Sequence, residues 1–382
     1  MRKKLFLAAT MALAMAAFAA PAFADDNADL QNLINNATSG TVTLDKDYTI
    51  TDTIEIDDGI TINGNGKTIT YSGNGSALSV TAQEAVVLND VDVTAASSGA
   101  YAISLTSSQP DLTLTDCVIK ADTRGINMYP EGGCVGGNLK LDNTDVLNSR
   151  ITDYETNAVV GDARGIALYD VKQSVIQIVN QSNILGFGYS VNLTGTKDPV
   201  THTSDYQETT IIVDNSNIFG WTAFNVWSSH TNFNITNSHL RGINPSYGVS
   251  DTFATIVVND DIYDNNDQFH ADACVFTITN STIDNYIPED KLEQQIEEGA
   301  ITAEFLFRID SEGVTRAIMS DVTFKDNTDV LICAFVAGNF NFTQNFYDYI
   351  TNDDNSGRFL WVTEPTSTYS DGITELPLVV VA

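Results

Sequence analysis

Positive charge is scarce in this sequence. Its 382 residues include 18 lysines and arginines against 50 aspartates and glutamates, and the formal net charge is -32. Such a chain repels the phosphate backbone of nucleic acids and the surface of anionic membranes. It also disfavours a long polyanion such as pectate, unless a cation mediates the contact. The composition therefore excludes nucleic acid as a partner and indicates a strongly acidic, well-solvated exterior.

Cysteine is also rare, and the four residues present have no spacing typical of a zinc site. In an exported chain they allow three disulfide pairings. Cys274 and Cys333 lie in apolar runs, which indicates buried free thiols. Cys117 follows a predicted turn and Cys134 lies in a glycine-rich loop, so a disulfide between these two is left open.

No apolar run after residue 24 is long enough to span a bilayer. Residues 1–24 themselves have three basic residues at positions 2–4, an apolar stretch at 5–19, and Ala22 and Ala24 at a small-x-small cleavage site. This arrangement is typical of a secretory signal peptide. We expect an exported protein that is extracellular, periplasmic or at the cell surface, with no transmembrane segment in its mature chain.

The chain contains one sequence motif that is repeated many times. The segment from Phe276 to Ile283 alternates apolar and polar residues, which predicts a short half-buried strand, and then reaches Asn280. Asparagine and aspartate tolerate left-handed backbone angles and therefore favour a tight corner. The version around Asn180 is one residue longer. The predicted corners are Gly64, Asp90, Asp116, Asn143, Asn180, Asn215, Asn237, Asn280, Asp321 and Gln344.

A repeat of this length predicts a solenoid. One coil buries about four apolar side chains, worth roughly 6–12 kcal/mol, whereas ordering its backbone costs roughly 25–50 kcal/mol. The coils must therefore stack and share a core. We expect one all-β domain over residues 25–382, with a helical cap at 25–40, coils at 41–362 and a C-terminal cap or tail at 363–382.

The opening of the chain carries a resemblance to a known family. Residues 60–69 read Ile-Thr-Ile-Asn-Gly-Asn-Gly-Lys-Thr-Ile, and they follow an amphipathic segment at 29–36 and three short apolar-alternating runs. This order resembles the right-handed parallel β-helix of the pectate-lyase-like class, and most closely the secreted bacterial pectate lyase-like adhesive domains. The resemblance covers roughly residues 28–362. It implies a right-handed parallel β-helix with a short N-terminal capping helix, and an exported binding or adhesion protein.

Two segments, 122–129 and 162–169, share the pattern Asp-x-Arg-Gly-Ile-x-apolar-Tyr. One predicted corner separates them, so we expect them one coil apart and in register. Arginine suits carboxylate and sulfate groups, and aromatic faces suit sugar rings. The alternative is that each arginine pairs with its local aspartate. The candidate ligand-binding residues are Arg124, Tyr129, Arg164, Tyr169, Trp227 and His230.

A second candidate lies in the acidic stretch 259–267. Clustered carboxylates suit Ca²⁺, although the order of an EF-hand loop is missing. The alternative is a solvated acidic loop, and no other cofactor is indicated. The candidate metal ligands are Asp260, Asp261, Asp264 and Asp267.

The sequence has no catalytic phrase of the β-helix enzymes. After the predicted signal peptide it contains neither a Gly-His-Gly nor an Arg-x-Lys segment of the kind found in the glycosidases of this class, and its four histidines form no triad pattern. We therefore predict a non-enzymatic binding or adhesion protein for glycan or other cell-surface material. The alternatives are a polysaccharide lyase or glycoside hydrolase, whose carboxylates could come from different coils, and a structural surface spacer.

Overall fold

The structure, a computed structural model, describes residues 26–37, 40–195, 208–227, 230–244, 254–258, 274–288, 303–309, 315–325, 331–336, 340–342 and 359–363. Its first elements are α1 (Asn27–Asn35), β1 (Thr41–Thr43), β2 (Tyr48–Ile50), β3 (Ile54–Ile56), β4 (Thr61–Tyr71), β5 (Ser76–Val80), β6 (Val86–Ala95), β7 (Tyr101–Leu105), β8 (Asp111–Thr115), β9 (Val118–Ala121) and β10 (Arg124–Met128). The next are β11 (Cys134–Val135), β12 (Asn138–Asp142), β13 (Asp145–Asn148), β14 (Arg164–Tyr169), β15 (Val171–Lys172), β16 (Val175–Val179), β17 (Asn183–Thr194), β18 (Thr210–Asp214), β19 (Asn217–Trp227) and β20 (Thr231–Thr236). The last are β21 (His239–Ile243), β22 (Ile256–Val258), β23 (Cys274–Thr279), β24 (Thr282–Tyr286), β25 (Ala303–Ile309), β26 (Thr315–Ser320), β27 (Thr323–Lys325), β28 (Leu331–Val336), β29 (Phe340–Phe342) and β30 (Phe359–Thr363).

The strands stack in parallel on three faces. Face A holds β1, β8, β12, β16, β18, β20, β23, β26, β29 and the first parts of β4 and β6. Face B holds β2, β9, β13, β21, β24, β27, the second parts of β4 and β6, and the first parts of β17 and β19. Face C holds β3, β5, β7, β10, β14, β22, β25, β28, β30 and the second parts of β17 and β19. The chain is a parallel β-helix, as predicted.

The predicted corners join face A to face B. Eight of them have a left-handed φ between 49° and 57°, and Asn180 is followed by a second left-handed residue, Gln181. The first corner differs from the prediction, because Asn65 and not Gly64 has the left-handed φ of 57°. Gly64 serves a close approach instead, since a Cβ there would lie 2.2 Å from the backbone oxygen of Asp90. Gln344 lies outside the described residues.

Corner side chains connect neighbouring coils. Asn280 donates to Asn237 at 2.7 Å, and Asn237 donates to Asp214 at 2.8 Å. These bonds satisfy polar groups at the positions where the backbone turns. They support the prediction that the column of corners is structural.

Apolar side chains alternate inward and form one continuous core. Phe233 and Phe276 stack with ring centroids 4.2 Å apart, and Phe224 meets Phe233 edge-on at 5.3 Å. At the N-terminal end α1 buries Leu30 and Ile34 over the first coil, so the predicted helix is present and begins two residues earlier than expected. It covers the open end of the first coil, which would otherwise expose sheet edges.

The disulfide left open between Cys117 and Cys134 is not formed. Both thiols are free and buried, as is the thiol of Cys274, which confirms the prediction for that residue. Burial raises the pKa of the Cys117 thiol to about 11. The side chain of Cys333 lies outside the described residues.

No helix in the described part of the chain is long and apolar enough to cross a membrane. The predicted signal peptide at 1–24 lies outside the described residues, and export stays a prediction.

Candidate functional site

Tyrosines and arginines form one row across four strands of face C. Arg124 of β10 pairs with Tyr101 of β7 on one side and with Arg164 of β14 on the other. Arg164 in turn pairs with Tyr189 of β17. The expectation that the two Asp-x-Arg-Gly segments lie in register is therefore confirmed. Neighbouring strands lie about 4.8 Å apart, so the row crosses roughly 15 Å of the surface.

The glycine after each arginine lets the chain pack closely at this point. A Cβ on Gly125 would lie 2.3 Å from Val146 and 2.6 Å from the carbonyl oxygen of Gly165. A Cβ on Gly165 would lie 2.4 Å from Ile184. The Arg-Gly order thus combines an outward cation with a backbone position that admits no side chain.

Arg124 lies between two tyrosine rings. Its guanidinium carbon is 4.8 Å from the ring centroid of Tyr101 and 5.3 Å from that of Tyr169, which are cation–π distances. Nη1 donates to Oδ1 of Asn127 at 2.7 Å, and Nη2 donates to the hydroxyl of Tyr169 at 3.4 Å. No carboxylate of a described residue forms an ion pair with it. Arg124 is therefore an oriented cation that no carboxylate in the described part of the chain neutralises.

Arg164 has a carboxylate partner, but a weak one. Nη2 lies 3.4 Å from Oδ1 of Asp162, whose side chain is 89% exposed. Nη1 donates to the backbone oxygen of the same residue at 3.0 Å. Exposed pairs of this kind contribute little. The Nε atoms of Arg124 and Arg164 are buried, and no described residue accepts a hydrogen bond from either.

The aspartate of the first segment does not pair with its own arginine. Asp122 is bound by Arg150, whose side-chain hydrogen bonds lower the pKa of Asp122 to about 2. Asp122 also accepts hydrogen bonds from Gly99 and Thr123. The local-pairing alternative is therefore wrong for Arg124, and it holds for Arg164 only through the long contact to Asp162.

Aromatic side chains lie beside the arginines. Tyr129 follows the end of β10 and Tyr169 is the last residue of β14, and their rings meet edge-on with centroids 4.9 Å apart. Tyr129 is 59% exposed. Trp227 lies on the same face, in register with Thr194, which pairs with Tyr169. We call Tyr101, Arg124, Tyr129, Arg164 and Tyr169 the Arg/Tyr surface.

His230 does not belong to this surface. It has a left-handed φ of 51° and lies just before β20, where the chain enters face A. Gln173 and Glu208 have the same conformation at the equivalent point of earlier coils, with φ of 49° and 50°. His230 is thus a member of a second corner column, and the structure does not bring it together with Arg124 and Arg164.

A row of polar side chains next to the arginines escaped the sequence reasoning. Asn127, Asn192 and Asn225 lie in one register row on the outer side of face C, with Ala167 between Asn127 and Asn192, and each of the three is less than 7% exposed. Asn225 donates to Oδ1 of Asn192 at 2.7 Å. Asparagine is common throughout this chain, so only the strand register distinguishes these three from the others.

Residues 150–163, here called the strap, form the long connection from face B to face C. Ala158 of the strap packs on an outward apolar patch of Phe219, Trp221 and Ile243. Nη1 of Arg241 donates to the backbone oxygen and to Oε2 of Glu155, both at 3.0 Å. The strap thus crosses several later coils, where Ala158 and Glu155 hold it.

A buried network fixes the arginine that holds the strap. Arg241 donates to both carboxylate oxygens of Asp284, at 2.9 and 3.0 Å, and Nε2 of His239 lies 3.0 Å from Oδ1. Burial alone would raise the pKa of Asp284, but the bonds from His239 and Arg241 outweigh it and hold the pKa below its usual value. Arg241 and Asp284 each follow a corner by four residues, a spacing that would have revealed the pair.

The predicted calcium ligands Asp260, Asp261, Asp264 and Asp267 lie outside the described residues. Within the described ranges, no group of three or more histidine, cysteine, aspartate or glutamate side chains is placed to hold a metal ion. The calcium site stays a prediction.

Comparison with known proteins gives no family assignment. No family model matches the chain, and no curated protein matches it. Among solved structures it is similar to the A-module of the mannuronan C-5 epimerase AlgE6 of Azotobacter vinelandii, with 10% identity, 91% of this chain and 94% of that chain covered, and a TM-score of 0.47. It is also similar to the catalytic unit of a thermostable GH87 alpha-1,3-glucanase from Streptomyces thermodiastaticus strain HF3-3, with 12% identity, 93% and 69% covered, and a TM-score of 0.45. At these values the similarity concerns the course of the backbone, and no residue role is taken from it.

Proposed function

We propose that this protein binds a polysaccharide carrying acidic groups, and that the Arg/Tyr surface is the binding site. The observation that carries the proposal is Arg124, an oriented cation with no carboxylate partner among the described residues, placed in register with Arg164. The chain has 50 acidic residues against 18 basic ones, so carboxylates that could pair with an arginine are plentiful in the sequence. Two like charges on adjacent strands repel each other, and an external anion between them would relieve that repulsion.

The aromatic residues support a sugar polymer as the source of the anion. Tyr129 is 59% exposed and meets Tyr169, whose ring centroid lies 5.3 Å from the guanidinium carbon of Arg124. A ring at this point offers an apolar face to a pyranose, while the guanidinium groups offer planar donors to a carboxylate or sulfate. Since the whole chain repels polyanions, we expect a glycan whose acidic groups are held locally by the arginines.

Binding without turnover remains the leading form of this proposal. Glycoside hydrolysis needs a pair of carboxyl groups across the scissile bond. Of the carboxylates near the Arg/Tyr surface, Asp122 is held by Arg150 and Asp162 contacts Arg164. The second candidate is an enzyme acting on polysaccharide. It is favoured by His239 and Asp284, because an imidazole nitrogen lies 3.0 Å from a carboxylate oxygen and these two groups are a pair used in acid–base catalysis.

The test uses residues 25–382 and two forms of one polymer, polygalacturonate and highly methyl-esterified pectin. Retention on each is measured by affinity electrophoresis, with Ca²⁺ and with a chelator, and new reducing ends and unsaturated sugars are followed over time. Arg124→Ala combined with Arg164→Ala should weaken binding to polygalacturonate about ten-fold or more, because charge-assisted hydrogen bonds are lost.

The matched control is Lys67→Ala combined with Lys120→Ala, which removes the same charge from face B instead of face C. Equal binding by the double arginine variant and this control would contradict the proposal. Release of sugars by the wild-type protein would favour the enzyme, and Asp284→Asn would then be the first variant to assay.

A further inference from the structure

The two copies of the Asp-x-Arg-Gly pattern have different ion pairs. In the first copy Arg150 binds Asp122, and no carboxylate of the residues that the structure describes pairs with Arg124. In the second copy Asp162 contacts Arg164, at 3.4 Å through its side chain and at 3.0 Å through its backbone oxygen. One row of face C therefore presents an open cation and an internally paired cation side by side.

The backbone on both sides of Asp162 is fixed. The carbonyl oxygen of Gly161 packs so closely on Gly188 that a Cβ there would lie 1.9 Å from it. The carbonyl oxygen of Ala163 accepts a hydrogen bond from the amide of Tyr189 at 2.9 Å. The Asp162 side chain itself is 89% exposed. It is therefore free to turn away from Arg164 while the strap stays in place.

We propose that the Asp162 carboxylate is a specificity-determining group that occupies the anion position at Arg164, so that a glycan gains both arginines only when its own carboxylate or sulfate displaces Asp162. The inference rests on the proposed function of the Arg/Tyr surface. A neutral glycan has no group that replaces Asp162 and is limited to the tyrosines and Arg124. Asp162 thus lowers the affinity for all anions and sets a threshold that only strongly acidic ligands pass.

The experiment compares the wild-type chain with Asp162→Asn, which keeps the size of the side chain and removes its charge. The probes are again polygalacturonate and highly methyl-esterified pectin, titrated in the presence of a chelator. The contact is exposed and long, so we expect about two- to five-fold tighter binding of polygalacturonate and no change for the esterified polymer. Asp58→Asn controls for the altered net charge, because Asp58 is exposed and lies on an early coil, away from the Arg/Tyr surface.

The outcomes separate this inference from the proposed function. If the double arginine variant loses polygalacturonate but Asp162→Asn binds as the wild type or more weakly, the role of Asp162 is wrong and the proposed function stands. An equal gain in Asp58→Asn would also overturn it, because the effect would then be one of net charge. If no variant and no wild-type protein retains polygalacturonate, both ideas fail.

Discussion

Arg241 on face B and Arg124 on face C differ in how far carboxylates of the described residues pair with them. Arg241 is 13% exposed and is held by a carboxylate that is 3% exposed, with a further contact to the strap. Arg124 is half-buried, packs between tyrosine rings and pairs with no carboxylate of the described residues. A guanidinium whose donors are used inside the protein maintains structure, whereas one whose charge is uncompensated is available for a ligand.

The largest effect is expected from breaking the face B network. Asp284→Ala leaves Arg241 and the neighbouring His239 without their carboxylate in a buried setting, which should destabilise the region by about 3–5 kcal/mol. The strap then loses its anchor at Glu155. The measurement is the thermal midpoint together with limited proteolysis of residues 150–163. Arg124→Ala is the comparison, and an equally large loss of stability there would erase the distinction between the two arginines.

A smaller effect is expected from Arg150→Ala, which frees Asp122. The pKa of Asp122 is lowered to about 2 by Arg150, so the pair stabilises the protein above the ordinary carboxyl pKa of about 3.8 and loses its contribution as the pH falls toward 2. The variant should lose about 1–2 kcal/mol at pH 7, the lower end being favoured because Arg150 is half-exposed. The difference in unfolding free energy from the wild type should shrink as the pH falls through 2 and vanish below it.

The Arg150→Ala variant also tests whether it matters for binding that no carboxylate of the described residues pairs with Arg124. Once Arg150 is gone, Asp122 is available to its own Arg124, which would then resemble Arg164. We expect weaker binding of polygalacturonate and unchanged binding of the esterified polymer. Unchanged binding of both polymers would mean that the pairing of Asp122 with Arg150 is unimportant for the Arg/Tyr surface.

The smallest effect on stability is expected from Tyr129→Ala. Because the ring is mostly exposed, the thermal midpoint should change by the equivalent of less than about 1 kcal/mol. Glycan affinity should fall about two- to ten-fold if the ring packs on a sugar. Tyr129→Phe keeps the ring and should bind like the wild type, so a loss in that variant would assign the contact to the hydroxyl group.

Periodic features of this protein were predictable from sequence, and local exceptions to the period were not. Eight corners and the register of Arg124 with Arg164 follow from counting residues between asparagines and aspartates. The partner of Asp122 lies 28 residues later, at the start of the strap, where the period is interrupted and the path of the chain is set by packing.

His230 shows a second limit. Its position in a corner column depends on backbone angles shared with Gln173 and Glu208, and these three residue types have no common chemistry that a sequence pattern would reveal. The sequence pattern therefore did not separate His230 from the candidate ligand-binding residues. Arg241 and Asp284 differ from His230 in this respect. Each follows a corner by four residues, so their common position can be read from the sequence.

The parallel register of face C sets a fixed spacing between the outward side chains of successive coils. Each added coil brings another outward side chain to the row of Tyr101, Arg124, Arg164 and Tyr189, one strand spacing of about 4.8 Å further along. A polymer lying along this row would meet evenly spaced contacts on one protein molecule. The number of coils that carry a suitable residue would then set the shortest chain that is bound well. Inserting or deleting a whole coil would change that length without changing the chemistry of any single contact.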